Sequence, residues 1–316
     1  MRTFLGATGR VLVTAGILLL LFVAYQLWGT GVLQARAQDD LQQQFERTLT
    51  GGGSSTSTPT TTVGDPGAST TVPSTTTPGT STTVPAIVVP PNGDPVAKIE
   101  IDKIGISQVV VEGVNVADLR KGPGHYPGTA LPGQTGTVAI AGHRSTYGAP
   151  FADLDQLVKG DEIVLTTVQG RFTYQVNKEP FAVDPDDGDV LGPVIDTAAP
   201  GGIAATLTLT TCNPKYSAAQ RLIVQASLVL PPGAQPLPST ARPGDVPTMI
   251  DGLDGETSSR TPALVWGLIA LLVGLAWWYV FHRYPRWYVW FLGAVPFLVV
   301  LFFFYTYLEQ LLPANY

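Results

Sequence analysis

Cysteine is nearly absent: Cys212 is the only one in 316 residues. One thiol cannot close an internal disulfide, which excludes a small extracellular scaffold held by cross-links. Outside the cell a leftover thiol is either paired between chains or reactive. Charge is sparse too, at 13% Asp, Glu, Lys and Arg with a formal net of −6. The three longest apolar runs carry no charge at all, so they offer no evident path for ions, which argues against a transporter. Residues 51–91 have almost no charge and are dominated by Thr, Ser, Pro and Gly. Such a segment cannot bury a core.

What is abundant is apolar surface, 45% of residues, unevenly spread. Residues 11–28, 263–281 and 287–308 read as three transmembrane helices, each near the roughly 20 residues needed to span hydrocarbon. Trp277, Trp278, Tyr279, Trp287, Tyr288 and Trp290 cluster as aromatic side chains do at the headgroup layer. Arg2 and Arg10 precede the first run, and His282, Arg283 and Arg286 lie between the other two. Basic flanks stay inside, so residues 1–10 form a cytoplasmic N-terminus and 282–286 a cytoplasmic loop. Residues 29–262 and the tail 309–316 are then extracytoplasmic. The first run is read as an uncleaved anchor, because no convincing small-residue cleavage site precedes Gln34-Ala35-Arg36-Ala37.

Residues 29–94 form a stalk and a Ser/Thr/Pro-rich linker. The polar, helix-forming stretch 34–49 is expected as a short stalk helix. The tether beyond it, at ~3.1 Å per residue where extended, is long enough to hold a domain on the order of 100 Å from the membrane. From 95 to 231 the texture is that of one mostly-β domain, with strands expected over 97–101, 108–112, 137–141, 162–167, 172–181, 206–211 and 222–230. Short helical turns are expected near Asp118 and over 150–157. Residues 232–262 read as a second, Pro/Gly-rich linker. The run Asp184-Pro185-Asp186-Asp187-Gly188-Asp189 faintly resembles a calcium loop, but its Gly is misplaced and Ile195 stands where a bidentate Glu belongs. No metal and no cofactor is expected.

The chemistry gathers around Cys212. It ends an alternating run in which Thr206, Thr208 and Thr210 face one side and Leu207 and Leu209 the other. Arg221 opens the next run, so pairing of the two strands brings guanidinium and thiol together. A nearby positive charge favours thiolate and can neutralise charge developing on a carbonyl oxygen. His143, after Gly142 at the end of an apolar strand, is expected at an exposed strand end, able to exchange protons with a substrate. His125 lies in a Gly/Pro loop, where a surface or structural role is the simpler reading. Spacing leaves two readings open: a Cys/His catalyst, or Cys212 as a small buried hydrophobe.

The segment Thr208-Leu209-Thr210-Thr211-Cys212, the Arg221 that follows in R-L-I-V, and Gly142-His143-Arg144 together resemble the motifs of sortases, the extracytoplasmic cysteine transpeptidases of Gram-positive bacteria. A-G-H-R-S-T-Y-G-A-P-F and C-N-P-K-Y-S-A-A-Q-R-L-I-V look most like class E members from actinobacteria. The resemblance covers about 96–230. It implies a closed eight-stranded β-barrel with Cys212, His143 and Arg221 at one end of a groove. It implies that Cys212 attacks the Thr carbonyl of a Leu-Ala-x-Thr-Gly or Leu-Pro-x-Thr-Gly sorting signal, forming a thioester. His143 would protonate the leaving amine and deprotonate the incoming one, while Arg221 steadies the oxyanion. Tyr126 is expected to meet the substrate backbone, with Thr210 and Thr211 beside it. The implied partners are secreted proteins bearing C-terminal sorting signals, a peptidoglycan precursor amine and the membrane, with no nucleic acid. A pilin-polymerising sortase and a non-enzymatic adhesion or scaffold barrel are the alternatives.

Overall fold

The computed structural model describes residues 2–51, 89–241, 260–284 and 287–309. Most of the expected tether (52–88), the later part of the second linker (242–259), residues 285–286 of the cytoplasmic loop and the tail from 310 lie outside them.

Nine strands form the β-domain: β1 Pro95–Ile101, β2 Ile106–Glu112, β3 Gly124–His125, β4 Gly136–Ala141, β5 Glu162–Thr167, β6 Gly170–Val176, β7 Phe181–Val183, β8 Ala205–Asn213 and β9 Gln220–Val229. Eight of them close a barrel in the order β6-β5-β1-β2-β3-β4-β8-β9, sealed by pairing of β9 with β6. The ninth, β7, shares the same edge of β9: Val183 faces Arg221, while farther along Val176 faces Ala226. The single strand expected over 172–181 is therefore two. Both pair with β9 in turn, and Pro180, which has no N–H for a ladder, stands just before the second.

Alternation sets the core. In β1, Ala97, Ile99 and Ile101 are fully buried while Lys98 and Glu100 turn outward, as a period of two requires. Strand β4 is buried throughout. Its Val138 and Ile140 join the barrel interior, and Ala139 and Ala141 pack outside against Tyr126, Leu191 and Ile223. Strand β8 behaves alike. Leu207 and Leu209 point into the barrel, and the threonine face is covered by a 3-10 turn over Gly188–Leu191. There Thr208 Oγ1 donates to Val190 O and Thr137 Oγ1 to Gly192 O. The acidic run at 184–189 thus leads into a lid over β4 and β8. These two strands run parallel, which is why both faces are sheathed.

Helix α1 Arg2–Ala24 continues through a π-helical turn, Tyr25–Gly29, into α2 Thr30–Gly51. The expected stalk helix is present and is docked on the barrel. Thr30, Gln34, Leu41 and Phe45 are buried, with Gln38 on the same stripe at helical spacing. Leu41 and Phe45 pack on Val109 and Val111 of β2. Gln38 clamps the Val109 backbone, accepting from its N–H at 2.8 Å and donating to its C=O at 3.0 Å. The β-domain therefore sits against this helix and is not held at the length of the tether. The start of the second linker is docked as well, so the domain runs on to 241. Leu237 N donates to Gly133 O, and the Gln134 side-chain carbonyl accepts from Leu131 N, Thr240 N and Thr240 Oγ1.

A short helix α3, Val116–Leu119, follows β2, and two long ones, α4 Arg260–Arg283 and α5 Trp287–Glu309, end the described chain. Among the described residues one helix, Thr261–Arg283, is long and apolar enough to cross a membrane. Shorter apolar helical stretches among the described residues run over Val13–Ala24 in α1 and Leu292–Leu308 in α5. These two touch: the Tyr305 hydroxyl donates to Leu18 O at 2.6 Å, and the Tyr25 hydroxyl to Thr306 Oγ1 at 3.2 Å.

Candidate active site

Antiparallel pairing of β8 with β9 sets Cys212 directly opposite Arg221. Parallel pairing of β4 with β8 matches Ala141 to Thr210. Gly142 and His143 follow directly on β4, beside the strand end that carries Cys212. Cross-bonds keep the two ends together: Gly142 N donates to Thr210 O at 3.1 Å, and Thr211 Oγ1 to Gly142 O at 2.7 Å. The three segments singled out in the sequence thus converge at one end of the barrel.

Gly142 is demanded by crowding. A Cβ there would lie 2.6 Å from the Phe151 ring, and Phe151 N donates to His143 O at 3.0 Å. His143 is not at an exposed strand end. It is 3% exposed, because the Tyr147 ring lies over it with centroids 5.1 Å apart. The Arg120 guanidinium lies 5.7 Å from the other partner of that contact, the Tyr147 ring. Burial first, then the Arg120 charge, lower the imidazole to about 4 from an ordinary 6.5. Its Nε2 is buried with no hydrogen-bond partner among the described residues. An orphaned buried nitrogen costs about 1–3 kcal/mol and calls for a functional explanation.

Cys212 is 5% exposed. Burial pushes its thiol above the ordinary value, while Arg221 and then Arg144 pull the other way. At neutral pH thiol and imidazole therefore both rest neutral. Arg221 donates through Nη1 to Ala218 O and Gln220 O, and its Nε is buried without a partner among the described residues.

The other expected contacts are spent inside the protein. Tyr126 has no exposed surface, and its hydroxyl lies 3.2 Å from Thr210 Oγ1. Thr211 is committed to Gly142. These three brace the strand end that bears the thiol. Arg144 was overlooked, although it adjoins His143 in the same motif. It donates to Cys212 O at 3.1 Å and Asn213 Oδ1 at 2.8 Å, and pairs with Asp155 at 3.1 Å. Arg120 stands 23 residues before His143 with no local signal, and only the fold brings it near.

A sortase-domain family model matches residues 99–229. Sortase SrtE1 of Streptomyces coelicolor is 29% identical over 230 residues, covering 71% of this chain and 56% of that protein. Sortase SrtE2 of the same organism is 29% identical over 236 residues, covering 70% of this chain and 80% of that protein. The solved sortase E of Streptomyces avermitilis is 42% identical over 44% of this chain and 91% of its own, with a TM-score of 0.39. The chain belongs to the sortase family, and these relatives are sortases of the E type. It spans little more than half the length of SrtE1.

Proposed function

We propose that this chain is a membrane-anchored cysteine transpeptidase that cuts a Leu-Ala-x-Thr-Gly or Leu-Pro-x-Thr-Gly signal between Thr and Gly and transfers the protein to a peptidoglycan amine. The observation that carries this reading is the cross-strand pair of Cys212 and Arg221, with His143 two residues past the end of the parallel neighbour β4. The resting neutral pair gives each proton a route. Cys212 Sγ attacks the Thr carbonyl as its proton passes to His143, and Arg221 stabilises the oxyanion. Collapse breaks the Thr–Gly C–N bond; His143 gives that proton to the leaving amine, and a thioester remains. An incoming amine loses its proton to His143, attacks the thioester, and the new amide frees Cys212, which takes the proton back. Splitting amide exchange at a thioester lowers each barrier, and one oxyanion donor is worth about 3 kcal/mol.

Arg144 supports the nucleophile by holding the Cys212 carbonyl, and Tyr126, Thr210 and Thr211 support the strand beneath it. Helices α1, α4 and α5 are read as three spans, with the barrel outside the membrane. The test is turnover of a fluorogenic Leu-Ala-x-Thr-Gly peptide by the full chain in detergent. Cys212→Ala should reduce it at least about a thousandfold while the barrel melts as before. Cleavage that survives the substitution would eliminate the thioester route.

A further inference from the structure

The first residue of α2 is bonded to the loop that carries His143. Thr30 is 1% exposed. Its hydroxyl donates to Gln26 O at 2.7 Å and accepts from the Tyr147 amide at 3.1 Å. One turn on, Gln34 is also buried, and its amide donates to Gln108 Oε1 at 3.0 Å. Helix and loop come close through glycine. A Cβ on Gly148, where φ is +69°, would lie 2.5 Å from Gln34 Oε1, and one on Gly31 would lie 3.8 Å from Gly148 N.

The loop itself is strained. Tyr147 and Ala149 hold φ of 50° and 44°, left-handed values that non-glycine residues seldom take. Such a shape costs about 1 kcal/mol or more per residue and persists only where the surroundings impose it. Thr30 grips the backbone at the strained Tyr147, and the ring of that residue covers His143.

We propose that Thr30, backed by Gln34, is a positioning residue for His143: the start of α2 holds loop 145–149 in the shape that lays Tyr147 against the imidazole. This rests on the reading of His143 as the acid–base group. The groups that act on that ring are Arg120, after α3, by its charge and Tyr147, on its own segment, by ring contact; Arg144 beside it in sequence is spent on Cys212 O, Asn213 and Asp155. None of them belongs to α2, so the helix acts through loop shape.

The experiment uses the full chain in detergent with ring-labelled histidine, three residues in all, His143 being assigned by its loss in His143→Asn. Thr30→Val removes the acceptor at nearly constant volume, and Thr30→Ser keeps it. In Thr30→Val the His143 titration should move up from about 4 toward 6.5 by at least about one unit as the ring gains water. The Ser variant should titrate like the parent. With the fluorogenic peptide, kcat should fall about tenfold and KM change less than about twofold, as for a misplaced catalytic group. An unmoved titration in folded Thr30→Val overturns the proposal, and so does faster turnover, which would make α2 a restraint. A moved titration in a chain without peptide cleavage upholds the positioning role and defeats the transpeptidase reading instead. Should Thr30→Val fail to fold, amide exchange of Tyr147 in the unaltered chain decides. Protection of at least about a hundredfold upholds the bond to Thr30, and an unprotected amide overturns it.

Discussion

The barrel buries two histidines in opposite ways. His125 is engaged on both sides of its ring: Nδ1 lies 2.8 Å from Glu112 Oε2, and Nε2 lies 2.9 Å from Ala130 O and 3.0 Å from Thr129 Oγ1. His143 is as deeply buried, but its Nε2 has no partner among the described residues, the Tyr147 ring lies against it and the Arg120 charge acts on it. A satisfied imidazole ties β2, β3 and the following loop together. An unsatisfied one stores a cost that a proton transfer or a substrate can relieve. Burial alone does not separate a structural histidine from a reactive one, whereas the fate of each ring nitrogen does.

The sharpest way to break this contrast is to remove each ring. His143→Asn should cost peptide turnover at least about a thousandfold, while His125→Asn should leave turnover per folded molecule within about twofold. The reverse pattern would exchange their roles. Next in size is Arg221→Ala, expected to lower kcat about a hundredfold or more. Arg221→Lys should recover only part of this, since a lysine lacks the planar fork; full recovery would show that charge alone suffices.

Acid sensitivity should report on His143. The His143 midpoint is depressed from 6.5 to about 4, so its contribution is present above pH 6.5 and is lost as pH falls toward 4. That is about 3 kcal/mol. Melting of the parent between pH 7 and pH 4 should show this loss, and His143→Asn should lack it; equal acid sensitivity in both would refute the buried neutral imidazole. At the other histidine, Glu112→Gln should lower stability by about 1–3 kcal/mol, read as a drop in melting midpoint, without changing the pH profile of turnover. The smallest effect belongs to Tyr126→Phe. Because that hydroxyl is spent on Thr210, preference between Ala and Pro peptides should change less than about twofold, and a larger change would return Tyr126 to the groove.

Local pattern made much of this legible. Strand β5 lies where alternation put it, and the threonine and leucine faces of β8 divide as expected. Strand β3 escaped notice because two residues in a Gly/Pro loop have no period to detect. Helix α2 lies where a stalk helix was expected, but its docking escaped notice for another reason. Gln34 and Gln38 sit on the same stripe as Leu41 and Phe45, and glutamines can bond a neighbouring backbone as well as water. Arg144 could have been found, since it adjoins His143. Arg120 and Thr30 could not, because nothing near them in the chain refers to the site.

By itself the sequence determined which side chains could react and which strands would carry them, since those depend on residue type and on a period of two. Only the tertiary structure decided their state: that thiol and imidazole are buried, that Tyr126 packs on the outer face of the barrel, and that the start of α2 is bonded to the loop after His143. Burial and long-range contact are set by what packs around a residue, and that is written in distant parts of the chain.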